Sequence, residues 1–267
     1  RSSLSSRKMP HPSMETEKGL TCPLHLLHVT RGKNDAPHGA GAHKGETMAK
    51  SQELPAGAGE RAPRVLELLK RRYPNPGTVL EHASPWQLLV ATVLAAQCTD
   101  ERVNKVTPTF FSRWPTPKEL AEATIEEIEE VIRSTGFYHN KAKNLLGAAR
   151  LLAEKYNCEP PRTMAELVKV PGVARKTANI VLFGGYGINE GMAVDTHVKR
   201  ISHRLGLTAQ TDPVKVERDL MSLFAREEWG DLNHRMVQFG RDVCNARGPK
   251  CDICEMAVFC PRLEPKK

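Results

Sequence analysis

The sequence predicts an all-α fold on three observations. From about Arg61 onward, apolar residues recur at helical spacing. Pairs that open helices, such as Ser84-Pro85, Thr99-Asp100 and Thr116-Pro117, punctuate the chain. No run of five or more residues reads as a strand. Together they describe many short helices joined by tight Gly or Pro turns, and not a coiled coil.

The elements follow in order. Residues 1–60 carry Ser, Gly, Pro, His and Ala with little periodicity. The segment 32–46, GKNDAPHGAGAHKGE, has too little apolar surface to offset its ordering, so 1–60 reads as a disordered N-terminal tail. Its one apolar patch, 24–29, is too short for a signal-peptide core, and Glu15, Glu17, Asp35 and Glu46 run against a transit-peptide composition. Val65, Leu66, Leu69 and Tyr73 then form one helix face, which Pro74 ends. Ser84 caps an apolar helix expected to run to Cys98. Thr99 opens a helix carrying Val103, Val106 and Phe110. Thr116 and Thr124 open two more; Ile125, Ile128, Val131 and Ile132 stripe the second, with Glu126, Glu127, Glu129 and Glu130 on its wet side. Ala142, Leu145, Leu146, Ala149, Leu152, Ala153 and Tyr156 make the cleanest stripe. Later helices are expected from about Thr163, Val173, Asp195, Pro213 and Asp231.

The chain of 267 residues is long enough for one large domain or two smaller ones. Its net charge of +8 favours a polyanionic partner, nucleic acid or an anionic surface. The longest apolar run, 88–96, is too short to cross a bilayer, so no membrane partner is expected. The seven cysteines are too few and too uneven for a secreted disulfide scaffold. Four of them, Cys244, Cys251, Cys254 and Cys260, crowd the C-terminus as C-x6-C-x2-C-x5-C. Four thiolates so spaced suit a tetrahedral zinc or a cubane iron–sulfur cluster; a single C-x2-C hook, where zinc sites more often pair two, tilts the reading to iron–sulfur.

The stretch 167–200, LVKVPGVARKTANIVLFGGYGINEGMAVDTHVKR, organises the rest. Pro171-Gly172-Val173 is a tight turn, and the N–H groups of the helix behind it suit a phosphate oxygen without any side-chain charge. Lys176 sits in that helix's first turn, where the positive end of the macrodipole disfavours an ammonium ion, and away from the apolar face of Ala178, Val181 and Leu182. A free amine there is the nucleophile that forms Schiff bases with sugar carbons; a lysine gripping phosphate as a point charge fits the spacing equally well. Asp195 reads as an N-cap. One of its carboxylate oxygens can cap while the other faces a cleft beside Lys176, to stabilise positive charge on a sugar or to handle protons.

These residues together resemble the endonuclease III family of base-excision DNA glycosylases. The matching stretches are VLAAQCTDERVNK (93–105), STGFYHNKAKNL (134–145), VPGVARKTANIVL (170–182), AVDTHVKR (193–200) and the four-cysteine loop. The resemblance implies two helical domains flanking a DNA-binding cleft. One is a six-helix domain over 85–188 with a helix-hairpin-helix at about 164–183. The other is a 4Fe–4S cluster domain built from 61–84 and 189–267. It implies double-stranded DNA with damaged pyrimidines or abasic sites as the substrate, the damaged nucleotide being flipped out of the stack.

By this resemblance Lys176 matches the nucleophile and Asp195 the catalytic carboxylate. Gln97 and Phe137 match positions that fill the gap in the duplex, and Gly172, Val173 and Ala174 match the DNA-holding hairpin. The four cysteines match ligands of a 4Fe–4S cluster, with zinc as the alternative from spacing. Ala174 stands where the family hairpin usually has a second glycine, and Phe137 where the family often has an aliphatic residue. The implied activity removes oxidised pyrimidines and cleaves 3′ to the abasic site by β-elimination. The alternatives are a pyrimidine-dimer or mismatch-adenine glycosylase of the same superfamily, or a non-catalytic DNA-binding module. A monomer is expected. So is a cytoplasmic location with the nucleoid if the source is bacterial, or a nuclear or mitochondrial one if it is eukaryotic, and not secretion.

Overall fold

Side-chain caps decide where most helices of this chain begin. Ser84, Thr99, Thr116, Thr124, Thr163, Asp195 and Asp212 each accept a hydrogen bond from a first-turn N–H, and Thr116 and Thr124 complete capping boxes with Glu119 and Glu127. The computed structural model describes residues 53–264, all within the unit spanning 45–267. The expected disordered tail therefore lies outside the described residues except for 53–60, as does Cys22.

The described residues form eleven α-helices with short 3-10 turns and no strand. In order they are α1 (Ala58–Arg72), α2 (Pro85–Leu94), α3 (Asp100–Arg113), α4 (Pro117–Ala121), α5 (Ile125–Ile132), α6 (Tyr138–Lys155), α7 (Met164–Leu167), α8 (Arg175–Tyr186), α9 (Thr196–Arg204), α10 (Pro213–Leu223) and α11 (Trp229–Asp242). The all-α expectation holds.

Four boundaries differ from the sequence reading. The first helix starts a turn earlier, at Ala58, inside the segment expected to be disordered. Arg61 anchors that turn by donating to the carbonyls of Leu205 at 2.8 Å and Gly206 at 2.7 Å. α2 stops at Leu94 rather than Cys98. The chain tightens there, Ala96 N–H bonding to Val93 O and Cys98 N–H to Ala95 O, three residues back rather than four, and Leu94 O accepts the Lys141 ammonium at 2.8 Å. α8 begins at Arg175, because the Val173 N–H is committed to Val170 O at 3.0 Å. α11 opens at Trp229 rather than Asp231.

Two hydrophobic cores result. The first joins α2 to α8, centred on α2, whose Leu88, Leu89, Val90, Ala91 and Leu94 are wholly buried. A helix apolar on all sides has to be buried on all sides. Glycine lets α8 close on it: a Cβ at Gly184 would stand 2.7 Å from Leu88, and one at Gly185 would stand 2.9 Å from Pro85. The second core collects Val65 and Leu69 of α1 with residues of α9, α10, α11 and Met256. Leu80 packs in the first core. α8 and α11 meet closely, a Cβ at Gly230 falling 2.2 Å from the Phe183 ring.

Candidate active site and nucleic-acid interface

A cleft of about 630 Å³ is walled by residues from both cores. Lys176, Thr177 and Ile180 line it from α8, Asp195, Thr196, His197 and Lys199 from the start of α9, and Asn233, His234, Val237, Gln238 and Arg241 from α11. Lys176 is exposed on this wall and has no hydrogen bond or ion pair with another described residue. Ala178, Val181 and Leu182 are buried on the opposite side of its helix. Lys176 thus faces the same space as Asp195, though nineteen positions separate them in sequence.

Asp195 is half-buried, and its Oδ1 accepts the Val198 N–H at 2.8 Å. Beside it, burial pulls the His197 imidazole below the usual histidine range, helped by Arg200 and Arg241 and opposed by Asp195. The Arg200 guanidinium lies 3.1 Å from His197 Nδ1, which suits a neutral ring accepting there. His234, further buried, is pulled down for the same reason. Arg241 pairs with Asp100 at 2.8 Å, and this ion pair of two cleft-lining residues ties α11 to the start of α3.

The hairpin precedes α8. Gly172 has φ +79, and a Cβ there would meet Asn144 at 2.9 Å, so conformation and space both require glycine. Val173 turns its side chain into the core. Ala174 is exposed and extended, at φ −88, so a second glycine is not needed for the backbone. It offers no side-chain cap. The first-turn N–H groups of Arg175, Lys176 and Thr177 therefore stay open toward solvent, at the positive end of the helix.

Gln97 and Phe137 are exposed, Phe137 to 70%. Both have left-handed backbones, φ +57 and +49. Non-glycine residues adopt this conformation only where their surroundings enforce it, often at functional sites.

The four C-terminal cysteines line one cavity of about 280 Å³ with Leu205, Phe239 and Val243. None of the four is in a disulfide. No three His, Cys, Asp or Glu side chains among the described residues converge on a point fit for a single metal ion. Four thiols around one cavity suit a metal centre, an iron–sulfur cluster or a zinc ion alike. α9 anchors these loops: Arg204 donates to Asn245 O at 2.7 Å and approaches Cys244 Sγ at 3.6 Å, while Arg200 donates to Cys244 O at 2.9 Å. Burial pushes the Cys254 and Cys260 thiols up.

Lys176, Asp195, the hairpin residues and all four cysteines were legible as candidates from sequence. His197, His234, the Asp100–Arg241 pair and Lys141 were not. Asp100 read only as a helix start, and the others had no motif of their own.

Comparison with known proteins gives four further findings. Residues 90–226 match the family model described as HhH-GPD superfamily base excision DNA repair protein. The chain is 52% identical over 205 residues to endonuclease III of Synechocystis sp., covering 77% of this chain and 94% of that protein. It is also similar to the structure of a trapped endonuclease III–DNA covalent intermediate, with TM-score 0.73 and 42% identity, covering 76% of this chain and 95% of that one. The non-covalent endonuclease III–DNA complex matches with the same values.

Proposed function

The chain belongs to the endonuclease III family of HhH-GPD base-excision DNA repair proteins, DNA glycosylases with abasic-site lyase activity, and from that premise we propose that Lys176 and Asp195 carry its chemistry on oxidised pyrimidines in double-stranded DNA. The observation that supports this most is that an unpaired lysine and a half-buried carboxylate, borne on different helices, open onto one cleft.

The duplex lies across the cleft, with the damaged nucleotide flipped into it. The open N-terminus of α8 and the Gly172 turn hold a phosphate through main-chain N–H groups. Gln97 and Phe137 enter the gap left in the stack. The Lys176 amine attacks the deoxyribose C1′, and the bond to the base breaks as the base leaves with its electron pair and takes up a proton. Asp195 stabilises the positive charge that develops on the sugar and handles protons as the ring opens. The Schiff base so formed acidifies the C2′ hydrogen; its loss expels the 3′ phosphate oxygen, and the strand breaks. Hydrolysis of the imine returns the lysine.

Cys244, Cys251, Cys254 and Cys260 would hold a 4Fe–4S cluster. When bound it supplies structural order to the C-terminal loops beside the DNA rather than catalysis, as the family resemblance implies. Around the 280 Å³ cavity, Arg247, Lys250 and Arg262 give this end a basic surface suited to the phosphate backbone. On this reading the hairpin belongs to one lobe and the cluster loops to another. No described helix is long and apolar enough to cross a membrane.

Borohydride trapping on duplexes carrying single oxidised pyrimidines tests this reading. A covalent protein–DNA adduct is expected with the wild type and not with Lys176→Gln, while Lys176→Gln still binds damaged DNA. Strand cleavage that persists in Lys176→Gln would show the amine assignment to be wrong. Binding without any adduct or cleavage in the wild type would leave a DNA-holding module.

A further inference from the structure

Lys141 is a buried cation with no carboxylate on it. Its side chain is on the inner face of α6, and the residue is only 4% exposed. The ammonium donates to two backbone carbonyls, Leu94 O and Thr135 O, each at 2.8 Å. Burial lowers its proton affinity, Cys98 opposes that shift, and the two carbonyls hold the ammonium in place. A lysine buried on this helix face only to fill space would be replaced by leucine or methionine at no electrostatic cost.

The two carbonyls are not arbitrary. Leu94 closes α2, three residues before Gln97. Thr135 closes the 3-10 turn Arg133–Thr135, two residues before Phe137. The Lys141 N–H also bonds to Phe137 O at 3.2 Å. The cation sits at the negative end of α2, on the carbonyl of that helix's last residue, where the chain has already tightened to i→i−3 bonds. The turn that follows gives Gln97 its left-handed backbone, and the chain after Thr135 gives Phe137 its own. One ammonium therefore fixes the roots of both exposed, left-handed residues.

We propose that Lys141 is a positioning residue for duplex opening: it presets the two gap-filling loops of Gln97 and Phe137 against one another, so that both enter the base stack without first being ordered. This rests on the reading of Gln97 and Phe137 as gap-filling residues. Ordering a loop at the moment of binding costs conformational entropy, which a preset loop avoids.

The test is single-turnover base release by Lys141→Met on two substrates, the same oxidised pyrimidine in a fully paired duplex and in an unpaired bubble where nothing has to be displaced. Borohydride trapping at saturating DNA measures the active fraction. The expected result is a loss of roughly ten- to a hundredfold on the duplex, the size of one or two charge-assisted hydrogen bonds, and a loss of about threefold or less on the bubble. In a Gln97→Ala/Phe137→Ala background, Lys141→Met should add almost nothing, because the residues it acts through are gone. Equal losses on both substrates, or a full additional loss in that background, would mean that Lys141 only supports the fold. If Lys141→Met does not fold, Lys141→Gln, whose amide can donate to one carbonyl, is read against the same criteria. A wild type that forms no adduct on either substrate removes the enzymatic reading beneath the proposal, and the proposal with it.

Discussion

Glu217 Oε1 accepts a hydrogen bond from Asn179 Nδ2 at 2.8 Å, and this contact joins the helix of Lys176 to α10. The same oxygen accepts the Met192 N–H at 3.1 Å, and Oε2 accepts from Arg175 Nε at 2.5 Å. Glu217 is 3% exposed, and a Cβ at Gly191 would stand 2.3 Å from it. One buried carboxylate thus sets where two candidate catalytic residues stand relative to each other.

Glu217→Ala leaves the Asn179 amide and the Met192 N–H buried without their acceptor, and Arg175 without its counter-ion. The expected destabilisation is about 2–4 kcal/mol, chiefly from the two buried donors left without an acceptor, since the Arg175 side chain reaches solvent. Glu217→Gln keeps one acceptor oxygen and the shape, so a smaller loss of about 1–3 kcal/mol is expected. Chemical denaturation checks both, and at temperatures where each variant is folded the base-release rate should fall in the same order. A Glu217→Ala protein as stable as wild type would mean that the network is slack.

Asp195 has two separable jobs. Its Oδ1 caps α9 through the Val198 N–H at 2.8 Å, and its carboxylate faces the cleft. Asparagine caps a helix about as well as aspartate does, whereas alanine costs about 1 kcal/mol. Asp195→Asn should therefore melt within a degree or two of wild type and still lose base release by roughly a hundredfold or more, as expected when electrostatic stabilisation of a developing charge is removed. Asp195→Ala should lose both. Full activity in Asp195→Asn would confine the residue to capping.

Capping and striping were legible in the sequence because they are local. Ser84, Thr99, Thr116, Thr124, Thr163 and Asp195 each bond to an N–H two or three residues on, and all open helices where expected. Lys141 was not legible, because its partner Leu94 O lies 47 positions away and one more lysine in HNKAKN reads as a solvated one. A signal was present: Lys141 precedes Leu145 by four residues and so falls on the buried stripe of α6. Asp100 and Arg241, 141 positions apart, had nothing in either neighbourhood to pair them.

The hairpin separates fold stability from DNA affinity. Ala174 is the uncapped N-cap of α8, and the N–H groups behind it are open. Ala174→Asp supplies a capping carboxylate at the positive helix end, so a gain of about 1 kcal/mol in stability is expected. The same carboxylate would stand where we propose that a phosphate binds, so affinity for duplex DNA should fall at least tenfold, or about 1.4 kcal/mol. Gly172→Ala moves the other way: with φ +79 and Asn144 at 2.9 Å, it should lose stability, by about 1–3 kcal/mol, together with affinity. Paired melting and DNA-binding titrations read both. An Ala174→Asp protein that binds DNA as well as wild type would remove the helix terminus from the interface.

In the proposed cluster the cysteine loops would answer to protons as well as to metal. Burial pushes the Cys254 and Cys260 thiols up, so without metal these two are protonated at neutral pH and above it. A ligand must be a thiolate, so loading iron and sulfide displaces those protons and is favoured as pH rises. Anaerobic reconstitution should therefore proceed further at pH 8.5 than at pH 6.5, giving a brown protein with broad absorption near about 400 nm. Cys254→Ser should weaken this absorption, and chelation of the iron should lower the melting temperature, since Arg204 and Arg200 of α9 reach the same loops at 2.7 Å and 2.9 Å. Because α9 also carries Asp195 at its start, loss of the cluster should reduce base release indirectly, without abolishing the borohydride adduct in the fraction that stays folded. A colourless, zinc-containing protein with full stability would assign these four thiols to a different metal.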